Sequence, residues 1–315
     1  MANSQFFLLT LQYAKIPFQM TFEELKRVIY SCKQLSFIAA SDKLQEIVFA
    51  LNKADTLQLI SQIGAIPEDI GHDSTEEKLY TKVSDILLAK SLLEMNLDAK
   101  VLTQRADCAD VVAQSHYHKY SLVGDAKAFR LSRTARNAKD YKVNSMAIWR
   151  GDCEYSVLVC PYFQYPISKS QIYKEALGGN VALFSWEYLY ILLKEGIRES
   201  DSFNLSDLWN QSDIISKTTT VSNSKSCFLT QQNQNISEFI KITPAKFYKY
   251  FNIFKNIIVE RGYNEIQYYE QEIKRVKQLN REDAIEELLK SMKLDSKIAT
   301  INGFINQINE RYLDK

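Results

Sequence analysis

Residues 109–142 read ADVVAQSHYHKYSLVGDAKAFRLSRTARNAKDYK, and the rest of the chain is organised around this stretch. Val111-Val112-Ala113 and Ser121-Leu122-Val123 are short apolar runs separated by the polar His116-Tyr117-His118-Lys119. That is the pattern of two antiparallel strands joined by a turn. Side chains alternate along a strand, so Asp125 and Lys127 share a face while Ala126 turns the other way, into the sheet. Pairing brings Asp110, at the start of the first strand, near the end of the second. Two carboxylates and one ammonium then converge at a sheet edge.

Such a trio suits phosphodiester hydrolysis. Two aspartates can hold Mg²⁺, a hard ion that takes oxygen ligands and keeps several waters. The ion neutralises a nonbridging phosphate oxygen and lowers the pKa of a bound water. Lys127 can position or deprotonate that water, or offset the charge building on the phosphorane. Downstream stand Arg130, Arg133, Arg136, Lys139 and Lys142, a cation at every third residue. On an α-helix this period drifts by about 60° per step, so the cations fan around the axis. A fan of that kind suits an element lodged between two phosphate backbones.

The segment GDAKAFRLSRTARNAKDYKV (124–143) resembles the active-site region of the HindIII-type type II restriction endonucleases, members of the PD-(D/E)xK nuclease superfamily. The likeness continues in STEEKLYTKVSDILLAK (74–90), FQYPISKSQIYK (163–174), LFSWEYLYILL (183–193) and REDAIEELLKSMKLDSKIATINGFI (281–305). It departs from the superfamily's name in one place: Ala109, not Pro, precedes Asp110. The resemblance implies Asp110 and Asp125 as Mg²⁺ ligands and Lys127 as the residue serving the water. It also implies duplex DNA as substrate, the palindrome AAGCTT cut after the first A to leave 5′ overhangs, and a partner methyltransferase protecting the host genome. A two-fold DNA site is matched by a homodimer, each protomer supplying one trio for one strand. With Arg130, Arg133, Arg136, Lys139 and Lys142, the intervening Asn137 and Asp140 become candidates for DNA contact. An Asn amide can pair with N6 and N7 of adenine; Asn137 equally suits a helix end or a turn cap.

The chain of 315 residues is long enough for one large domain or two modest ones with a sizeable core. Its formal net charge is only +1, from 39 basic against 38 acidic residues, so basicity for a polyanion must be local, as it is between Lys127 and Lys142. Five cysteines without a C-x-x-C pair read as reduced core residues. Phe6-Phe7-Leu8-Leu9 is too brief for a membrane span and lacks a basic n-region, so a cytoplasmic protein is expected.

Residues 1–70 read as helical, with a Thr21/Glu24 capping box and a further helix opening at Ser41-Asp42. Ser74 starts a helix to about Leu93. Its Glu77 either completes a capping box or is a third metal ligand, since some nucleases of the superfamily place a helical Glu beside the metal. Tyr155–Cys160 and Val181–Phe184 are strongly β-prone runs with a helix between them. The expected fold is therefore α/β, a restriction-endonuclease-like mixed sheet flanked by helices, with helical N- and C-terminal regions. A nuclease core at about 74–215, a polar linker over 216–235 and a helical C-terminal region over 236–315 are the expected divisions. Two rival functions fit the same residues: a repair or junction-cleaving nuclease on this fold, and a DNA-binding module whose acids are structural.

Overall fold

The computed structural model describes residues 20–102, 108–133, 137–166, 170–218 and 224–313. The elements begin with α1 (Phe22–Ser31), α2 (Phe37–Phe49), α3 (Lys53–Ile63), β1 (Ala65–Ile66) and α4 (Thr75–Glu94). Strands β2 (Asp98–Val101), β3 (Val111–Gln114), β4 (Ser121–Ala126) and β5 (Phe129–Arg130) follow. Next come α5 (Ala138–Tyr141), α6 (Val143–Trp149), β6 (Tyr155–Cys160), α7 (Gln171–Gly179), β7 (Val181–Ser185) and α8 (Trp186–Lys194). The remainder is helical: α9 (Ser206–Trp209), α10 (Gln211–Ser216), α11 (Ser224–Phe239), α12 (Pro244–Gln278), α13 (Arg281–Ser291) and α14 (Leu294–Leu313).

The central sheet has the order β2-β3-β4-β6-β7. Its β2/β3 and β3/β4 pairs are antiparallel, and β4/β6 and β6/β7 are parallel. This is the mixed α/β architecture expected. Strands β6 and β7 are buried on both faces, which is why they read as near-continuous apolar runs. The period of two separates two cores. Leu122, Ala126, Val157, Val159 and Phe184 join α4 and α8 on one face, while Val123, Leu158, Val181 and Leu183 join α6 and α7 on the other.

Helix α4 is buried almost all round from Leu79 to Leu92, so it is a core helix and not a surface one. It lies close on β4 because position 124 is glycine. A Cβ there would stand 3.0 Å from Leu88 Cδ2. The close approach also lets Asp85 Oδ1 accept from the backbone N–H of Ala126 at 3.3 Å.

Two expectations need correction. Helix α2 is capped by Ser36, whose Oγ accepts from Ala39 N at 3.3 Å, and so starts before Ser41. Within the stretch expected as a linker, residues from Ser224 onward are helix α11. Its few apolar side chains recur about once per turn or two, and Phe228 and Ile236 are buried, so low average hydrophobicity hid a packing stripe. Asn233 adds hydrogen bonds with Tyr188 OH at 2.7 Å and Tyr162 OH at 2.9 Å. The chain groups into two units, Met1–Gly262 and Tyr263–Lys315. Cys32 and Cys160 are buried. Among the described residues no helix is long and apolar enough to cross a membrane.

One buried acid reports on the core. Glu187, 3% exposed at the start of α8, accepts from Tyr162 N at 2.9 Å. Burial raises its pKa from 4.5 to about 7. The native state therefore binds a proton that the unfolded chain has already released between about pH 4.5 and 7. Stability falls as pH rises through that window and levels off above it. Glu187→Gln keeps an acceptor for Tyr162 N and should remove this slope, by at most about 3 kcal/mol. Melting temperatures at pH 5 and pH 8 check it: the variant should gain on wild type at pH 8 and match it near pH 5. Equal shifts at both would refute the assignment.

Candidate active site

The β3/β4 register pairs Val111 with Gly124, so one step further Asp110 stands across from Asp125. Just past the end of β4, Lys127 N donates to Val159 O of β6 at 2.7 Å, and Trp186 Nε1 donates to Lys127 O at 3.3 Å. The backbone beneath the lysine is thus held from two sides. Helix α4 supplies a third carboxylate, Asp85. Ligand oxygens of Asp85, Asp110 and Asp125 lie within 4.8 Å of one another. The Lys127 ammonium is paired with Asp125 Oδ2, an oxygen that is buried and makes no well-directed hydrogen bond. Lys82 Nζ lies 3.8 Å from Asp110 Oδ1 and donates to Leu102 O at 3.1 Å. These groups line a cleft of about 1100 Å³.

Burial, then the charges of Asp110 and Asp125, raise the Asp85 pKa well above the ordinary carboxylate value. Burial and Asp125 raise that of Asp110 as well. For Lys127, burial acts downward, but Asp125 and Asp85 outweigh it and the net shift is upward. The lysine is therefore an ammonium in this setting, a charge stabiliser before it is a base. Three hard oxygen donors crowded in low dielectric fit a small divalent cation, which would relieve their repulsion.

The sequence placed Asp110, Asp125 and Lys127 together, and the structure brings them together. It missed Asp85. The available signal was an aspartate among Val83, Ile86 and Leu87 on the apolar side of a helix, where an acid is costly without a partner. Glu77 is not in this group; its ligand atom lies with those of His72 and Asp73 in a second, more exposed set. Two turns before Asp85, its N–H bonds Ser74 Oγ at 3.1 Å, and its Oε2 accepts from Asp73 N at 2.7 Å. Its Oε1 takes Arg130 Nη2 at 2.6 Å. Arg130 also binds Pro67 O at 2.8 Å and Ile70 O at 2.7 Å, so its guanidinium clamps β5 to the start of α4.

The cations do not share a helix, as the fan required. Arg130 is in β5, Arg133 in the following turn, and α5 has only four residues. Arg136 lies outside the described residues. Arg133 pairs with Asp140 at 2.8 Å. Asp140 also accepts from Asn137 N at 2.8 Å, with Asn137 in the N-cap position of α5. Lys139 is exposed. Lys142 has φ of 53°, lies over the Trp149 ring at 5.3 Å and lines the cleft.

Residues 26–305 match the family model described as HindIII restriction endonuclease. The chain is also 42% identical over 286 residues to the type II restriction enzyme HindIII of Haemophilus influenzae, covering 91% of this chain and 95% of the relative. The chain belongs to the HindIII restriction endonuclease family. The acidic cleft of this family member is thereby the candidate centre of a DNA-cleaving hydrolase.

The charge arrangement in this restriction endonuclease generates a test. Asp85→Asn keeps an acceptor for Ala126 N while removing one of three mutually repelling charges. In metal-free buffer the variant should melt higher, by about 2–4 °C for each kcal/mol relieved. Its cleavage should fall by about 10²-fold or more, as for loss of other charge-stabilising groups. Calorimetry and a cleavage time course check the two halves; a lower melting temperature with full cleavage would remove Asp85 from the site.

Proposed function

We propose that this endonuclease hydrolyses duplex DNA at the palindrome AAGCTT, cutting after the first A to leave 5′ overhangs, with Mg²⁺ as cofactor. The observation that carries the hydrolytic part is the convergence of Asp85, Asp110, Asp125 and Lys127 on one cleft. The recognition sequence rests on the 42% identity to the Haemophilus influenzae enzyme. Asp85, Asp110 and Asp125 would hold the metal, which when bound supplies Lewis-acid stabilisation and a more acidic water. Lys127 places a positive charge beside Asp125, where the phosphorane develops its negative charge. The rigid backbone contacts of Lys127 keep that ammonium in register with the carboxylates.

The protein acts as a homodimer in this reading, each protomer cutting one strand of a two-fold site. Exposed apolar side chains on the C-terminal helices support a second copy as their partner: Ile266, Ile273, Leu288, Ile298 and Ile301 are each more than half exposed. A methyltransferase modifying the same sequence would protect the host DNA, and the cytoplasm is where both would meet it.

Plasmid DNA incubated with the protein and Mg²⁺, followed by end-sequencing of the fragments, tests the proposal. Cuts confined to AAGCTT with four-base 5′ extensions are expected from the stated cut position. Preference for branched over linear DNA would favour a junction nuclease, and specific binding without any cutting a DNA-binding module. Asp125→Asn and Lys127→Ala should each lose about 10²-fold or more in cleavage while retaining binding to the site. Near-wild-type cutting by either would show that the reaction uses other groups.

A further inference from the structure

Of the cations after Lys127 in the basic segment, only Lys142 lines the cleft among the described residues, so the cleft's other cations need an explanation. They lie on α4. Thr75, Lys78, Lys82 and Asp85 occupy positions i, i+3, i+7 and i+10, one stripe of the helix, and all four line the cleft. The stripe leads from the exposed start of the helix down to the carboxylates. Lys78 and Lys82 are separated by about 6 Å along the axis, a spacing that long lysine side chains can match to successive phosphates. Lys82 stands 3.8 Å from Asp110 and so, with Lys127, is a cation at the carboxylate cluster. Lys33, which also lines the cleft with Leu35 and Ile38, is paired with Glu76 of α4 at 2.8 Å.

We propose that Lys78 and Lys82 form a phosphate-binding track that guides the strand to be cut into the carboxylate cluster. The track rests on the nuclease reading for its occupant, the backbone of duplex DNA, and the complementarity is one of charge: ammonium groups on a helix stripe continuous with the site. Phosphate contacts position DNA without reading its sequence. Helix α4 thus holds the strand with the same face that presents Asp85.

The test is a salt series of duplex binding in EDTA, with one duplex carrying AAGCTT and one unrelated to it. Lys78→Ala and Lys82→Ala should each lower the slope of log K against log salt by about 0.9 on both duplexes. Lys82→Arg, which keeps the charge, should retain the wild-type slope. Lys174→Ala on α7, which does not line the cleft, serves as the control and should leave the slope unchanged. Because Lys82 also holds Leu102 O, its alanine variant can fail to fold; Lys78→Ala, at an exposed position, then carries the result. Unchanged slope in Lys78→Ala, or an equal fall in Lys174→Ala, overturns the track. Plasmid digestion by wild type with Mg²⁺ is run in parallel. Slopes as expected with no digestion would overturn the nuclease reading and leave the track standing.

Discussion

Three carboxylates held within 4.8 Å of one another, at the end of a buried sheet, set the constraint under which the rest of this fold operates. Like charges at that separation in low dielectric repel, and burial adds a cost to each. The raised pKa values of Asp85 and Asp110 are the signature of that strain. A cluster of this kind persists only where its surroundings over-determine its position. Here the surroundings are a core helix buried on nearly every side and a central strand paired on both edges.

Two lysines moderate the repulsion, Lys127 against Asp125 and Lys82 against Asp110. They leave the acids short of full neutralisation, which is what a cation site requires. The cost falls on stability and the gain on function, a division common in active sites. Closeness of α4 to β4 is the mechanical condition for the cluster, and Gly124 permits it by leaving room for Leu88. A glycine in the middle of a β-prone run, two residues before the end of the strand, is therefore part of the site although it carries no chemistry.

How much of this could be read from the sequence differs by residue. The strand pair was legible because alternation and an intervening turn fix both face and register, and register then places Asp110 across from Asp125. The parallel strands were legible as unbroken β-prone runs. Asp85 was not, because a helix pattern is read from its apolar positions and an acid among them looks like an interruption. Whether it meets Asp110 depends on how far α4 slides along the sheet, a tertiary quantity that no local spacing encodes. The basic fan failed for a related reason: a period of three is meaningful only on a continuous helix, and β5, a turn and the four-residue α5 intervene. Helix α11 was hidden because large polar residues such as Asn233 are buried there through hydrogen bonds to tyrosines.

Arg130 shows what a cation of the basic segment does within the protein. Its guanidinium meets Glu77, Pro67 O and Ile70 O, and Glu68 lies 3.8 Å away. A planar fork with five donors can satisfy several acceptors at once, which an ammonium on a flexible stem does less well. The result joins the segment three residues beyond Lys127 to the first turn of α4, eight residues before Asp85. The lysine and the third carboxylate come from distant parts of the sequence, and this clamp shortens the mechanical path between them. Charge within the protein therefore fixes the geometry of the site, and in the proposed track the exposed Lys78 is the cleft lysine that meets a polyanion. That division also accounts for a chain with a net charge of +1 acting on DNA. What matters is not the sum of charges but which of them remain uncompensated where the phosphates pass.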